Sequence, residues 1–219
     1  MVKTAVLVSG GGLSLQSLID ASVFGEIPQC EITAVISSNP GSYALKRAEM
    51  AGIPTYVIDR ELFPSQTVFG FAVLDKLRDL DIKLVVLAGF DCELTQPIFK
   101  HYSGRIIDTY SSLMPAFTDE KLSGIRIQEA ELNAGIKISG ATVYFVTEKS
   151  NFGPIILQKA VAVREGDSPV VLQRRILEEA ENIILPRAVE LYCSGKLSVV
   201  NGVVHIAEPH EGDSEKMTK

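Results

Sequence analysis

Apolar, β-branched runs recur through the first ninety residues at KTAVLVS (3–9), EITAVISS (31–38), PTYVID (54–59) and IKLVVLAGF (82–90). Such runs are typical of strands buried on both faces. Between them the apolar positions change to helical spacing. LSLQSLIDASVFG (13–25), YALKRAEMAG (43–52) and VFGFAVLDKLRDL (68–80) read as helices, the second ending at Gly52 before Pro54. Strand and helix alternating at this pitch predict an α/β fold, a doubly wound, mostly parallel sheet with helices on both faces.

The second half has a different rhythm. GRIIDTY (104–110) predicts a fifth strand, and GATVYFVTE (140–148) and PIILQKAVAV (154–163) two longer ones. SPVVLQRRILEEAENIILPRAVELYCSG (168–195) predicts a long helical region with a break or kink at Pro186. In KLSVVNGVVHI (196–206) the pair Asn201-Gly202 lies between apolar runs, a hairpin signal. Residues 1–206 are expected to form a single domain, and the polar tail 207–219 to be disordered. The chain shows neither an internal repeat nor a low-complexity linker.

Composition narrows the function classes. The 219 residues are 46% hydrophobic, enough for one well-buried core. A net charge of -6 and scattered Lys and Arg argue against a nucleic-acid footprint. Cys30, Cys92 and Cys193 are odd in number and far apart, which favours neither a disulfide framework nor a thiolate metal site and suits a reducing cytoplasm. No apolar run is long enough for a secretory signal or a membrane span, so the protein is expected to be soluble. His101, His205 and His210 lack metal-ligand spacing, and no metal is expected.

Candidate chemistry gathers where predicted strands end. In VSGGGLSLQSLI (8–19), Gly10, Gly11 and Gly12 lead into a helix whose first N–H groups, at Leu13 and Ser14, can hold an anion such as phosphate; a bare tight turn is the alternative. LAGFDCEL (87–94) follows a buried strand and places Gly89 and Phe90 at the same sheet edge, where the segment alone reads as a loop, Asp91 and Glu93 as solvated charges and Cys92 as a small buried filler rather than a nucleophile. IIDTYSSLMP (106–115) and TEKSNFGPIIL (147–157) both follow strands, and their Asp108, Tyr110 and Asn151 read either as turn formers or as a reactive constellation.

Taken together, AVLVSGGGLSLQSLIDA, VISSNPGSYALKRAEMAGIP, VVLAGF, GRIIDTYSSLMPAF, GATVYFVTEKSNFGPIILQKAVAV and LPRAVELYCSGKLSV resemble the phosphoribosylglycinamide formyltransferase family, collinearly over residues 2 to 206. The resemblance implies a Rossmann-like formyltransferase fold. It implies that the glycine loop (Gly10, Gly11, Gly12, Leu13, Ser14) holds a ribonucleotide phosphate. It also implies that 10-formyltetrahydrofolate lies over Phe90, Asp91, Cys92, Leu94, Gly140, Thr142, Phe152 and Gly153. A homodimer is the assembly to test.

The reacting positions depart from the family. Its Asn-x-His-Pro-Ser-Leu-x-Pro becomes Asp108-Thr109-Tyr110-Ser111-Ser112-Leu113-Met114-Pro115, and its Asp before Gly-Pro becomes Asn151. Cys92 replaces an Arg, Asn182 a His beside Glu181, and Asp119 a Gly in the segment 116–140, which resembles a long loop. Formyl transfer develops an oxyanion that a neutral amide and an imidazolium stabilise, while an Asp helps move the proton. A carboxylate at 108 repels that charge unless protonated, and a phenol at 110 cannot cycle its proton near neutrality. Three readings follow: a family member with weak or lost transfer, a non-catalytic binding or regulatory paralogue, and a transferase or hydrolase of changed specificity.

Overall fold

A computed structural model describes residues 1–119, 122–148 and 153–207. The first half is built as the sequence pattern predicts. Strand β1 (Val2–Val8) runs into α1 (Leu13–Val23), β2 (Cys30–Ser37) into α2 (Tyr43–Met50), and β3 (Thr55–Val57) through a 3-10 turn at Arg60–Leu62 into α3 (Gln66–Asp79). Strand β4 (Leu84–Leu87) leads through a short helix α4 (Gln96–His101) to β5 (Ile106–Tyr110). Then come α5 (Ile125–Asn133), β6 (Ile138–Phe145) and β7 (Ile155–Ala162). The C-terminal region comprises α6 (Pro169–Ile176), a π turn (Leu177–Glu181), α7 (Asn182–Cys193) and a separate hairpin of β8 (Leu197–Val200) and β9 (Val203–Ile206).

The main sheet has the order β3-β2-β1-β4-β5-β6-β7. Pairs from β3 to β5 are parallel, while β6 is antiparallel to both β5 and β7. Central strands have apolar partners above and below. Val6, Val8, Val35 and Val86 face a cluster with Leu15, Leu18, Leu185 and Val189, and Leu7, Ile36 and Val85 face Phe69, Val73 and Leu77. Each fully buried Leu or Val stabilises by about 1.5–3 kcal/mol, which explains why these strands carry no alternation. Strand order reverses between β1 and β4, and the loops at their carboxyl ends meet there, with Ser9 N–H donating to Gly89 O at 3.0 Å. A crevice at such a reversal is where open α/β sheets bind ligands.

Two details correct the sequence reading. The irregularity expected at Pro186 lies upstream in the π turn, and Pro186 itself sits inside α7. Proline lacks an N–H and crowds the carbonyl four residues before it, so the ladder shifts ahead of the ring. The long loop expected over 116–140 contains α5, whose buried residues are Ile127, Gln128 and Glu131. Two of those three are polar, so hydrophobic periodicity could not reveal this helix. Most of the tail, residues 208–219, lies outside the described residues.

Candidate active site

The glycine loop is positioned from behind by α2. Gly10 O accepts from Ser42 Oγ (2.8 Å) and Ala44 N–H (3.1 Å), and Gly11 O accepts from Arg47 Nε (2.8 Å). With its carbonyls held this way, the loop leads to the unpaired N–H groups of the first turn of α1, at Leu13, Ser14 and Leu15. Gly12, the N-cap, has φ 73°, and a Cβ there would lie 2.6 Å from Ala44 Cβ. Gly10 and Gly11 are exposed, and a Cβ added to either would meet nothing within 4 Å. The loop therefore has a glycine required by packing and two beside open space, the arrangement of a backbone anion cradle. Arg47, which also donates to Gln16 Oε1 (3.1 Å), brings a cation to it that sequence reasoning missed.

Beside this loop, hydroxyls tie the strand ends together. Ser9 Oγ and Ser38 Oγ are 2.6 Å apart, Asp91 N–H donates to Ser9 Oγ (3.0 Å), and Ser38 Oγ donates to Asp91 Oδ1 (3.3 Å). A cavity of about 380 Å³ opens here, lined by Ser38, Asn39, Asp59, Arg60, Asp91 and Cys92 among others. Phe90 stacks on Phe69 with centroids 6.3 Å apart, and Leu94 is buried. Burial raises the Cys92 thiol, and the neighbouring Asp91 carboxylate adds to this, so Cys92 is no ready nucleophile.

Asp108 and Tyr110 share one face of β5, two residues apart, opposite Tyr144 and Thr142 of β6. Asp108 Oδ1 accepts from Thr109 N–H (2.8 Å) and Oδ2 from the Tyr144 hydroxyl (3.1 Å). Burial pushes the Asp108 carboxyl up to about 7, against the Thr109 and Tyr144 donors, with the Glu181 carboxylate adding to the rise. The Tyr110 hydroxyl donates to Phe117 O at 2.7 Å, and burial raises its pKa. Its proton thus already has an acceptor in its own loop. Asn151 and Phe152 lie outside the described residues.

The turn after β5 is held by β6 and α5. Thr142 Oγ1 donates to Ser112 O (2.8 Å) and accepts from Met114 N–H (3.0 Å). A Cβ on Gly140 would overlap Lys159 O and Leu113 Cδ2, and one on Gly153 would overlap Phe145 O. In this conformation, then, Gly140, Thr142 and Gly153 shape the backbone. Glu131, fully buried, accepts from Ser112 Oγ (2.7 Å) and Ser139 Oγ (2.8 Å), and Gln128 Nε2 donates to Ser111 O (2.8 Å). Ser111 Oγ donates to Glu181, whose carboxyl burial raises. Among the described residues, Gln128 Oε1 and Asn182 Oδ1 are buried without a hydrogen-bond partner. Sequence reasoning missed Tyr144, Glu131 and Gln128 as parts of this site. For Tyr144 a usable signal existed, since antiparallel register places 144 opposite 108.

No cluster of His, Cys, Asp or Glu among the described residues could hold a metal ion, and no described helix is long and apolar enough to cross a membrane.

A doubly wound sheet with a glycine loop at its strand-order reversal and a polar strand end beside it defines a Rossmann-like α/β protein. The formyl transferase family profile matches residues 2–189, and the chain belongs to that family. It is 34% identical to phosphoribosylglycinamide formyltransferase of Haemophilus influenzae, over 94% of each chain. It is 39% identical to the trifunctional purine biosynthetic protein adenosine-3 of Gallus gallus over 90% of this chain, but spans only 19% of that relative's length. The crystal structure of glycinamide ribonucleotide transformylase 1 from Symbiobacterium toebii superposes with a TM-score of 0.89 at 38% identity, covering 95% of both chains.

Proposed function

We propose that this chain binds a phosphoribosyl amine on the glycine loop and a folate formyl donor over the loops after β4 and β6, with formyl transfer far slower than in relatives bearing the Asn, His and Asp trio. The observation that carries this reading is the bond from the Tyr110 hydroxyl to Phe117 O. At the position where the family carries an imidazole, the phenol's donor is already engaged, and its raised pKa keeps it from cycling protons. Binding is supported separately. The α1 N-terminus and Arg47 suit a phosphate, and Arg60 is a cation lining the cavity beside Cys92, suited to the carboxylates of a folate. Such a protein would work in the cytoplasm, as a monomer or homodimer, without a metal.

The test is formyl transfer from 10-formyltetrahydrofolate to glycinamide ribonucleotide, with product mass, beside calorimetric binding of each ligand. Binding with turnover at least about a hundredfold below a trio-bearing relative is expected. Turnover within about a hundredfold of that relative would overturn the slow-transfer reading, and absence of binding would remove the ligand assignment.

One observation favours a second reading. Asp108 is part-exposed and titrates near neutrality, so it can accept a proton from an amine. That makes it a general base for a different acceptor. A screen of amines with the formyl donor tests this: formylated product lost in Asp108→Asn supports it, and product unchanged in that variant removes it.

A further inference from the structure

Just past the end of β5, a hydroxyl meets a buried carboxylate. Ser111 stands where the family pattern carries Pro, so an O–H exists at this position only because the chain departs from that pattern. Its Oγ donates to Glu181 Oε1, a partner 70 residues away in sequence. Glu181 is 6% exposed and is the last residue of the π turn Leu177–Glu181. Single π turns inside helices are frequent at functional sites. Ser111 itself is half-buried, and its backbone is fixed by Gln128 Nε2, which donates to Ser111 O at 2.8 Å. Strand β5 pairs with β4, so Ser111 leaves the sheet beside the loop after β4, where the formyl donor is proposed to lie.

We propose that Ser111 is a nucleophile and Glu181 its general base, and that together they hydrolyse the formyl donor through a formyl ester on Ser111. This rests on the reading that a folate formyl donor binds here, and it adds an activity that needs no amine acceptor. A serine hydroxyl is a weak nucleophile until an adjacent base takes its proton, and these two groups already share a hydrogen bond. Burial raises the Glu181 carboxyl, against the Ser111 donation, which makes it the stronger base.

In the first step Ser111 Oγ attacks the formyl carbon while Glu181 takes the hydroxyl proton. A C–O bond forms and the carbonyl oxygen becomes an oxyanion. Asp108, close enough to Glu181 for the two carboxyls to influence each other, donates to that oxyanion in its protonated form. The intermediate collapses, the C–N bond to the folate breaks, and Glu181 returns the proton to the departing nitrogen. Tetrahydrofolate leaves and the formyl group stays on Ser111. Water then attacks the ester as Glu181 takes a proton from it, the C–O bond to Ser111 breaks, and Ser111 Oγ recovers that proton. One donor and one water become tetrahydrofolate and formic acid, which ionises to formate. No oxidation or reduction occurs.

The experiment incubates the full chain with 10-formyltetrahydrofolate and no amine, follows tetrahydrofolate and formate, and quenches samples in acid for peptide mass. Equal release of the two products is expected, with the Ser111 peptide heavier by about 28 Da in quenched samples, the mass of a formyl group replacing the hydroxyl hydrogen. Ser111→Ala should lose the adduct and slow formate release at least about a hundredfold, and Glu181→Gln should slow both steps. Ser111→Cys, whose thiol is itself a nucleophile, should restore an adduct as a thioester, which a purely structural hydrogen bond would not. The mass readout on the native chain stands even where a variant fails to fold. Formate release unchanged in Ser111→Ala overturns the proposal, as does release that depends on Ser111 with no adduct at any quench time. Calorimetry separates the two readings: a bound donor that yields neither adduct nor formate removes the hydrolysis alone, and no donor binding removes the function it rests on as well.

Discussion

Tyr144 and Asp108 face one another across β6 and β5, with the tyrosine hydroxyl donating to Asp108 Oδ2 at 3.1 Å. The carboxyl is held near neutrality because two opposing influences act on it. Burial and the Glu181 carboxylate favour the protonated form, and the Tyr144 and Thr109 donors favour the ionised one.

That balance predicts a pH-dependent stability. The folded pKa of Asp108, about 7, lies above the ordinary value, so the folded state binds the proton more tightly than the unfolded chain. Stability from this group is complete below about pH 4 and is lost as pH rises to 7, by about 4 kcal/mol. Asp108→Asn removes the titration. Urea denaturation should therefore show the variant gaining on the native protein between pH 5 and pH 8, and parallel pH profiles would contradict the shifted carboxyl.

Tyr144→Phe withdraws a donor that favours ionised Asp108. Its cost should be about 1–2 kcal/mol above pH 8, where the carboxylate is present, and smaller at pH 5.5, where the acid is protonated. The carboxyl ¹³C resonance of Asp108 should titrate at higher pH in the variant. An unmoved midpoint would show that the cross-strand bond does not set its ionisation.

Glycines of one loop should separate folding from binding. Gly12→Ala meets positive φ and a 2.6 Å approach to Ala44 Cβ, and should destabilise by about 2–4 kcal/mol in chemical denaturation. Gly11→Ala adds its methyl to open space and should leave stability within about 0.5 kcal/mol. The same variant should weaken binding of a phosphoribosyl ligand at least about tenfold in calorimetry, because the methyl stands where the anion approaches. Undiminished binding would relocate the phosphate.

Glu131 ties α5 to the turn after β5 and to the start of β6. Glu131→Ala leaves the Ser112 and Ser139 hydroxyls without their acceptor inside the core and should cost about 3 kcal/mol or more by denaturation, whereas Glu131→Gln, which retains one carbonyl acceptor, should cost about half as much. Equal losses in the two variants would indicate that volume, and not acceptance, is what the site requires.

Much of this architecture was legible in the chain. The runs 3–9, 31–38 and 82–90 hold buried strands because their residues pack on both faces, and the helices between them follow from apolar spacing. Asn201-Gly202 turns the β8-β9 hairpin as its residue types require, with both residues at positive φ. The family was also legible, since VSGGGLS, LAGF and SSLMP keep recognisable residues at the ends of β1, β4 and β5. Helix α5 was not, because its inward face carries Gln128 and Glu131, which look solvent-facing until the hydroxyls that meet them are placed.

The sequence by itself determined the strands, the helices of the first half, the family and which residues stand at the candidate reacting positions, because buried periodicity and glycine placement are local properties of the chain. Only the tertiary structure decided what those residues can do. It set Tyr144 against Asp108, assigned the Tyr110 proton to Phe117 O and brought Arg47 behind the glycine loop. The physical reason is that ionisation and hydrogen bonding depend on burial and on partners distant in sequence, and neither exists until the sheet and its flanking helices have closed around them.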